Sequence, residues 1–204
     1  MISIDSTTAQ VFGLVLAAGR SRRFAGDKRR ALLPCGRSML RASLDNAHTS
    51  FRQIWVVLRE DDDPRMLDIP PEVNIIRCAD AHLGMGHSLA CGIEALPPSP
   101  ACAVAILLAD MPWIEPQTLH CLAEMADPER IALPRYTGRR GHPVVIGRQF
   151  WPALRQLEGD QGAKTLIAAN LERCDFLDCD DAGVLCDADT PQALESACQQ
   201  RYGS

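Results

Sequence analysis

The feature that most constrains this chain is a seven-residue apolar run, Val11 to Ala17 (VFGLVLA), which passes straight into Ala18-Gly19 and a basic loop. A run this short with no polar face reads as a strand buried on both sides, the form strands take in parallel sheets. Parallel neighbours need crossover connections, usually helices. The rest of the chain offers them in alternation. Strands are expected at Gln53 to Leu58, Val73 to Ile76, Ala103 to Ala109, Ile131 to Leu133 and Val144 to Ile146. Helices are expected at Met39 to Ala47, Ser88 to Leu96, Pro116 to Met125, Gln149 to Leu157, Ala163 to Ala169 and Pro191 to Gln200. Ser88 is placed to cap its helix, and Pro97 and Pro98 stop it. This order predicts a doubly wound α/β fold with a mostly parallel sheet and helices on both faces.

The length, 204 residues, suits one domain across the whole chain, with the polar stretch 1–10 expected as a flexible tail. A hydrophobic share of 47% excludes a disordered chain, and the net charge of -5 argues against a nucleic-acid partner. Met1 to Gln10 lack the basic start and apolar core of a secretory leader, and no apolar run approaches the ~20 residues of a membrane span. The nine cysteines show no CxxC spacing, so free thiols in a reducing compartment are expected, and with them a cytoplasmic location without membrane partners.

Polar signals gather where such sheets bind ligands, at the carboxyl ends of strands. After the first strand come Arg20, Arg22, Arg23 and Lys28, four cations within nine residues. The small residues Ala17, Ala18 and Gly19 let backbone N–H groups approach phosphate, and Arg23 and Lys28 can neutralise a triphosphate. A tight turn followed by a solvated basic loop is the plainer alternative. The spacing is neither a Walker loop nor GxGxxG, which disfavours a dinucleotide-dependent dehydrogenase. Asp110 ends the most apolar strand (LLADMP), where a carboxylate suits magnesium or simply a turn before proline. In Asp187-Ala188-Asp189-Thr190-Pro191, one carboxylate could join Asp110 at the metal, while Asp189 or Thr190 caps the next helix. Gly138 to Pro143 (GRRGHP) offers Arg140 to an anionic acceptor, with His142 as base, donor or structural residue. In Gly159 to Lys164, Lys164 could reach phosphate. Gly84-Met85-Gly86-His87-Ser88 can approach a base or sugar, or can be an ordinary turn and cap. The acidic stretch Asp178, Asp180, Asp181 reads as a solvated loop.

Taken together, LAAGRSRRFAGDK, LLADMP, GMGHSL, GRRGHPV, GDQGAK and DADTP resemble the molybdenum cofactor nucleotidyltransferases, from about Val11 to about Leu194. Their cytidylyltransferase branch, which makes molybdopterin cytosine dinucleotide, is the nearer likeness. The resemblance implies a Rossmann-like, three-layer nucleotidyltransferase fold. It also implies transfer of CMP from CTP to molybdopterin with release of pyrophosphate, a magnesium requirement, and transient contact with a recipient molybdoenzyme. By the same resemblance, Leu16, Ala17, Ala18, Gly19, Arg23, Lys28 and Ser88 would line the nucleotide. Lys28, Arg23 and Asp110 would be catalytic. Asp110, with Asp187 or Asp189, would hold the metal, and Arg140, Gly141, His142 and Pro143 would face the acceptor. The guanylyltransferase branch carries LAGG where this chain has Ala17-Ala18-Gly19. Against that, Gly26-Asp27-Lys28 resembles the ending of the guanine branch, although cytidine-type relatives carry GDK too, and Arg29 and Arg30 replace the apolar pair usual after that lysine. A GTP-dependent transferase, another small-phosphate acceptor, and a cofactor-binding chaperone without catalysis are the competing readings.

Overall fold

The computed structural model describes residues 11–20, 24 and 26–202. The expected tail at 1–10 and the expected phosphate ligand Arg23 lie outside the described residues. In chain order the main elements are β1 (Val11–Leu16), α1 (Met39–His48), β2 (Gln53–Arg59), β3 (Asn74–Cys78), α2 (Met85–Glu94), β4 (Ala103–Leu108) and α3 (Pro116–Glu124). There follow β5 (Ile131–Tyr136), β6 (Arg139–Arg140), β7 (Val144–Gly147), α4 (Trp151–Leu154), α5 (Lys164–Ala169), β8 (Cys174–Asp178) and α6 (Pro191–Tyr202).

The strands form one sheet in the order β3-β2-β1-β4-β7-β5-β6, with β8 also paired to β5. The half β3-β2-β1-β4 is parallel, as the both-sides-apolar run of β1 requires. β7 enters antiparallel between β4 and β5, and β8 restores parallel pairing on β5. The fold is therefore a three-layer α/β architecture around an open, mostly parallel mixed sheet.

Alternation along β1 shows how the layers are built. Phe12, Leu14 and Leu16 pack with Leu89 and Ile93 of α2 and with Trp151 and Leu154 of α4. Val11 and Val15 face the other way, onto Leu40 and Leu44 of α1 and Leu119 and Leu122 of α3. A third, smaller cluster joins Leu33, Met39, Trp113, Ala188 and Ala197 under α6.

Several boundaries differ from expectation. The second helix begins three residues early, at Met85, with Gly84 as its cap residue and no side-chain cap bond. Ser88 therefore sits inside the first turn, where its backbone N–H bonds the carbonyl of Gly84. The expected helix at Gln149 to Leu157 is shorter, a 3-10 turn over Arg148–Phe150 followed by α4. Strand β8 was not anticipated, because Cys-Asp-Phe-Leu-Asp mixes apolar and acidic residues at an edge. Its Asp178 is tied to Arg135 of β5 at 2.6 and 2.7 Å. Asp181 is a further correction. It is 2% exposed rather than solvated, and accepts hydrogen bonds from the backbone of Glu115 and Gly183, both at 2.8 Å.

Candidate active site

The carboxyl ends of β1 and β4 open into a cavity of about 1010 Å³. Backbone pairing explains why the functional segments meet there. Ala17 N–H bonds the carbonyl of Val57, and Ala109 N–H bonds that of Leu16, so the turn after β1 and the end of β4 lie side by side. Ala188 N–H then bonds the carbonyl of Asp110, which draws the Asp187–Asp189 segment against the same edge.

One wall carries the residues expected to line a nucleotide. Leu16, Ala17, Ala18, Gly19, Lys28 and Ser88 all line the cavity. Lys28, at the start of a 3-10 turn over Lys28–Arg30, donates from Nζ to Asp110 Oδ2 at 2.6 Å and to Asp189 Oδ1 at 2.8 Å. Burial would lower the pKa of this ammonium, but the charges and hydrogen bonds of the two carboxylates raise it instead. Asp189 is thus the carboxylate placed beside Asp110, while Asp187 lies exposed on the cavity rim. Thr190 caps the next helix, its Oγ1 accepting from Ala193 N–H at 3.1 Å.

The facing wall comes from the β5–β7 hairpin and α5. Arg140, Gly141 and His142 line the cavity together with Lys164 and Ile167, whereas Pro143 is buried outside it. Gly141 is held where only glycine fits. Its N–H bonds Pro134, and a Cβ there would lie 2.4 Å from the carbonyl oxygen of Val184. The same carbonyl accepts from His142 N–H at 2.9 Å. Burial lowers the pKa of the His142 imidazole against the opposing charge of Asp110, and its buried Nδ1 has no hydrogen-bond partner among the described residues. This histidine is therefore a neutral ring at neutral pH. The guanidinium of Arg140 lies 5.4 Å from the centroid of the Phe176 ring, which steadies a side chain otherwise open to solvent.

The Gly84-Met85-Gly86 segment lines the cavity through Gly84 and Met85, and its glycines also make a close loop contact. A Cβ at Gly84 would lie 2.4 Å from the backbone of Gly159, and one at Gly86 2.5 Å from the carbonyl oxygen of Glu158. Gly86 N–H bonds Gly159 O at 2.7 Å, and His87 Nδ1 accepts from Gly159 N–H. These glycines let two loops touch. Their neighbours Leu83 and Met85 remain exposed and line the cavity as an apolar strip.

Sequence reasoning missed Arg29. It is 3% exposed and paired with Asp27 and Asp62 behind the Lys28 turn. Burial would raise the pKa of Asp62, but hydrogen bonds and charge from Arg29 and Arg59 hold its carboxyl well below the usual range. The one available signal was an arginine standing where an apolar residue is usual. Asp62 is 33 residues away along the chain, beyond the reach of any local pattern.

Among the described residues, no group of three or more His, Cys, Asp or Glu side chains could hold a metal ion. Asp110 and Asp189 are a two-carboxylate, all-oxygen set drawn together at the ammonium of Lys28. That donor set fits magnesium, which takes one or two carboxylates and completes its shell with phosphate oxygens and water.

Residues 13–174 match the protein family described as MobA-like NTP transferase domain. The chain is 32% identical over 195 residues to the purine catabolism protein PucB of Bacillus subtilis (strain 168), covering 91% of this chain and 94% of that one. The crystal structure of Rv0371c from Mycobacterium tuberculosis H37Rv superposes with a TM-score of 0.81 at 26% identity, over 95% of this chain and all of its own. A structure of Rv0371c in complex with manganese gives a TM-score of 0.78 at 27% identity, over 93% and 98% of the two chains.

Proposed function

The chain belongs to the MobA-like NTP transferase family, and on that premise we propose that it joins CMP from CTP to the terminal phosphate of molybdopterin, releasing pyrophosphate. One observation carries the reading. A single cavity holds Lys28, Asp110 and Asp189 on one wall and Arg140, His142 and Lys164 on the other. Its volume, about 1010 Å³, matches the top of the usual range for small-molecule sites, and two substrates must share it. The apolar side chains of Leu83, Met85 and Ile167 in the lining suit a flat heterocycle, and the cations of the same lining suit a phosphate. The Ala17-Ala18-Gly19 turn favours CTP over GTP by its likeness to the cytidine branch.

In this mechanism the acceptor's phosphate oxygen attacks the α-phosphorus in line, the bond to the β-phosphate oxygen breaks, and pyrophosphate leaves. A phosphate monoester is already ionised at neutral pH, so no side chain needs to remove a proton. The protein's task is positioning and charge neutralisation. Lys28 turns from the two carboxylates to the β- and γ-phosphates, and Arg23 adds a second positive charge. Arg140 and Lys164 seat the acceptor phosphate, and the neutral ring of His142 sets its approach without adding charge. Asp110 and Asp189 would hold magnesium, which would supply positive charge against the α-phosphate and the leaving group.

The test is a panel of the four NTPs with magnesium and purified molybdopterin, reading pyrophosphate. CTP should give the fastest release. Preference for GTP would move the protein to guanylyl transfer. Tight molybdopterin binding with no pyrophosphate from any NTP would make it a carrier and sink the transferase reading.

A further inference from the structure

We propose that Arg29 is a positioning residue for nucleotide binding, a buried fork that sets both the Ala17–Ala18 peptide and the turn that carries Lys28. The proposal rests on the nucleotidyltransferase reading above. A guanidinium has five N–H donors in one plane, and all five are used here. Nε donates to Asp27 Oδ1 at 2.9 Å. Nη1 donates to Ala17 O at 2.8 Å and to Asp62 Oδ2 at 2.6 Å. Nη2 donates to Asp27 Oδ2 at 2.6 Å and to Asp62 Oδ1 at 2.7 Å. Three segments are therefore locked into one plane: the turn after β1, the residue before Lys28, and the turn after β2. Asp27 also accepts from Arg29 N–H at 3.1 Å, so the cap of the Lys28 turn belongs to the same unit. Asp62 is itself fixed by Arg59 N–H at 2.9 Å and by the Arg59 side chain.

Two consequences bear on the cavity. A trans peptide holds C=O and N–H on opposite sides, so anchoring the Ala17 carbonyl on Arg29 fixes where the Ala18 N–H points. A buried, saturated fork also keeps Lys28 next to Asp110 and Asp189 across a gap that nothing local specifies. Lysine at position 29 keeps the charge but cannot reach five acceptors in one plane.

Arg29→Lys, and Arg29→Ala with and without N-ethylguanidinium, test this in the full-length protein. Hydrogen exchange is read over 17–19 and 26–31 against β4, and Mg-CTP and Mg-GTP affinities are measured directly without acceptor. In Arg29→Lys, exchange over 26–31 should quicken at least tenfold with β4 unchanged, and nucleotide affinity should fall by roughly tenfold or more, since charge-assisted bonds are lost. N-ethylguanidinium should restore affinity to Arg29→Ala, and ethylammonium should not. Wild-type affinity in a folded Arg29→Lys, or equal rescue by ethylammonium, overturns the proposal. So does loss of the β4 exchange barrier in both variants, which would make Arg29 a purely structural residue. If the wild-type protein binds no NTP, the transferase reading falls, and the exchange comparison still decides whether the fork holds the Lys28 turn.

Discussion

Lys28 occupies the ground a divalent cation would need, which gives the site an unusual sign. Its ammonium sits 2.6 and 2.8 Å from the two carboxylates proposed to hold the metal. Removing it should therefore strengthen metal binding while it weakens catalysis. Manganese titrated into nucleotide-free Lys28→Met, followed by electron paramagnetic resonance, should bind roughly tenfold tighter than to wild type, about 1.4 kcal/mol of like-charge repulsion relieved. Unchanged or weaker binding would take Asp110 and Asp189 out of the metal role. In steady-state assays Lys28→Ala should lower kcat far more than it alters acceptor KM. Asp110→Ala should abolish pyrophosphate release while thermal melting still shows a cooperative folded domain. Near-normal turnover in that variant would end the case for Asp110. Gly141→Ala belongs to the same scale. A Cβ 2.4 Å from Val184 O forces backbone apart, and overpacking of this kind costs about 1–3 kcal/mol, to be read as a lower melting temperature with weaker acceptor binding.

At the scale of elements, the wall proposed to seat the acceptor depends on a short segment that has no regular pattern of its own. Asp181 caps the 3-10 turn Ala182–Leu185 through Gly183 N–H and reaches Glu115 N–H, next to the proline that opens α3. The turn in turn offers the Val184 carbonyl to His142. Asp181→Ala leaves one buried and one part-buried donor without their acceptor, and a cost of about 2–4 kcal/mol is expected from chemical denaturation, at 1–2 kcal/mol for each lost bond. Retained stability would show that the turn holds without its cap. The missed strand β8 has a similar cause. Its outer residues are acidic and its place in the sheet comes from parallel pairing with β5, so its alternation is weak and its partner distant.

The whole molecule couples its charge network to acidity. Asp27 and Asp62 both have depressed pKa values in the folded state, because arginines hydrogen-bond and neutralise them more strongly than burial opposes ionisation. The unfolded chain therefore takes up protons first as pH falls. The stability these carboxylates provide is complete above about pH 4 and drains away below it, toward their native pKa values. Urea denaturation between pH 3 and 7 should show this decline, and Asp62→Asn should start from lower stability at pH 7 and lose less on acidification. A variant as pH-sensitive as wild type would remove Asp62 from the network's energetics.

The sequence by itself determined the layered α/β architecture, the strand that opens the site, and the candidates Lys28, Asp110 and Arg140. Those are local facts: apolar runs, breaker residues and polar groups at strand ends report on structure within a few residues. Only the tertiary structure decided that Asp189 stands beside Asp110, that Gly84 and Gly86 serve loop contact, that Asp181 is buried, and that Arg29 is saturated. Each depends on residues brought from 33 to 161 positions apart. Such pairings are set by how strands order themselves and which backbone groups they leave to be satisfied, and no short window of sequence contains that information.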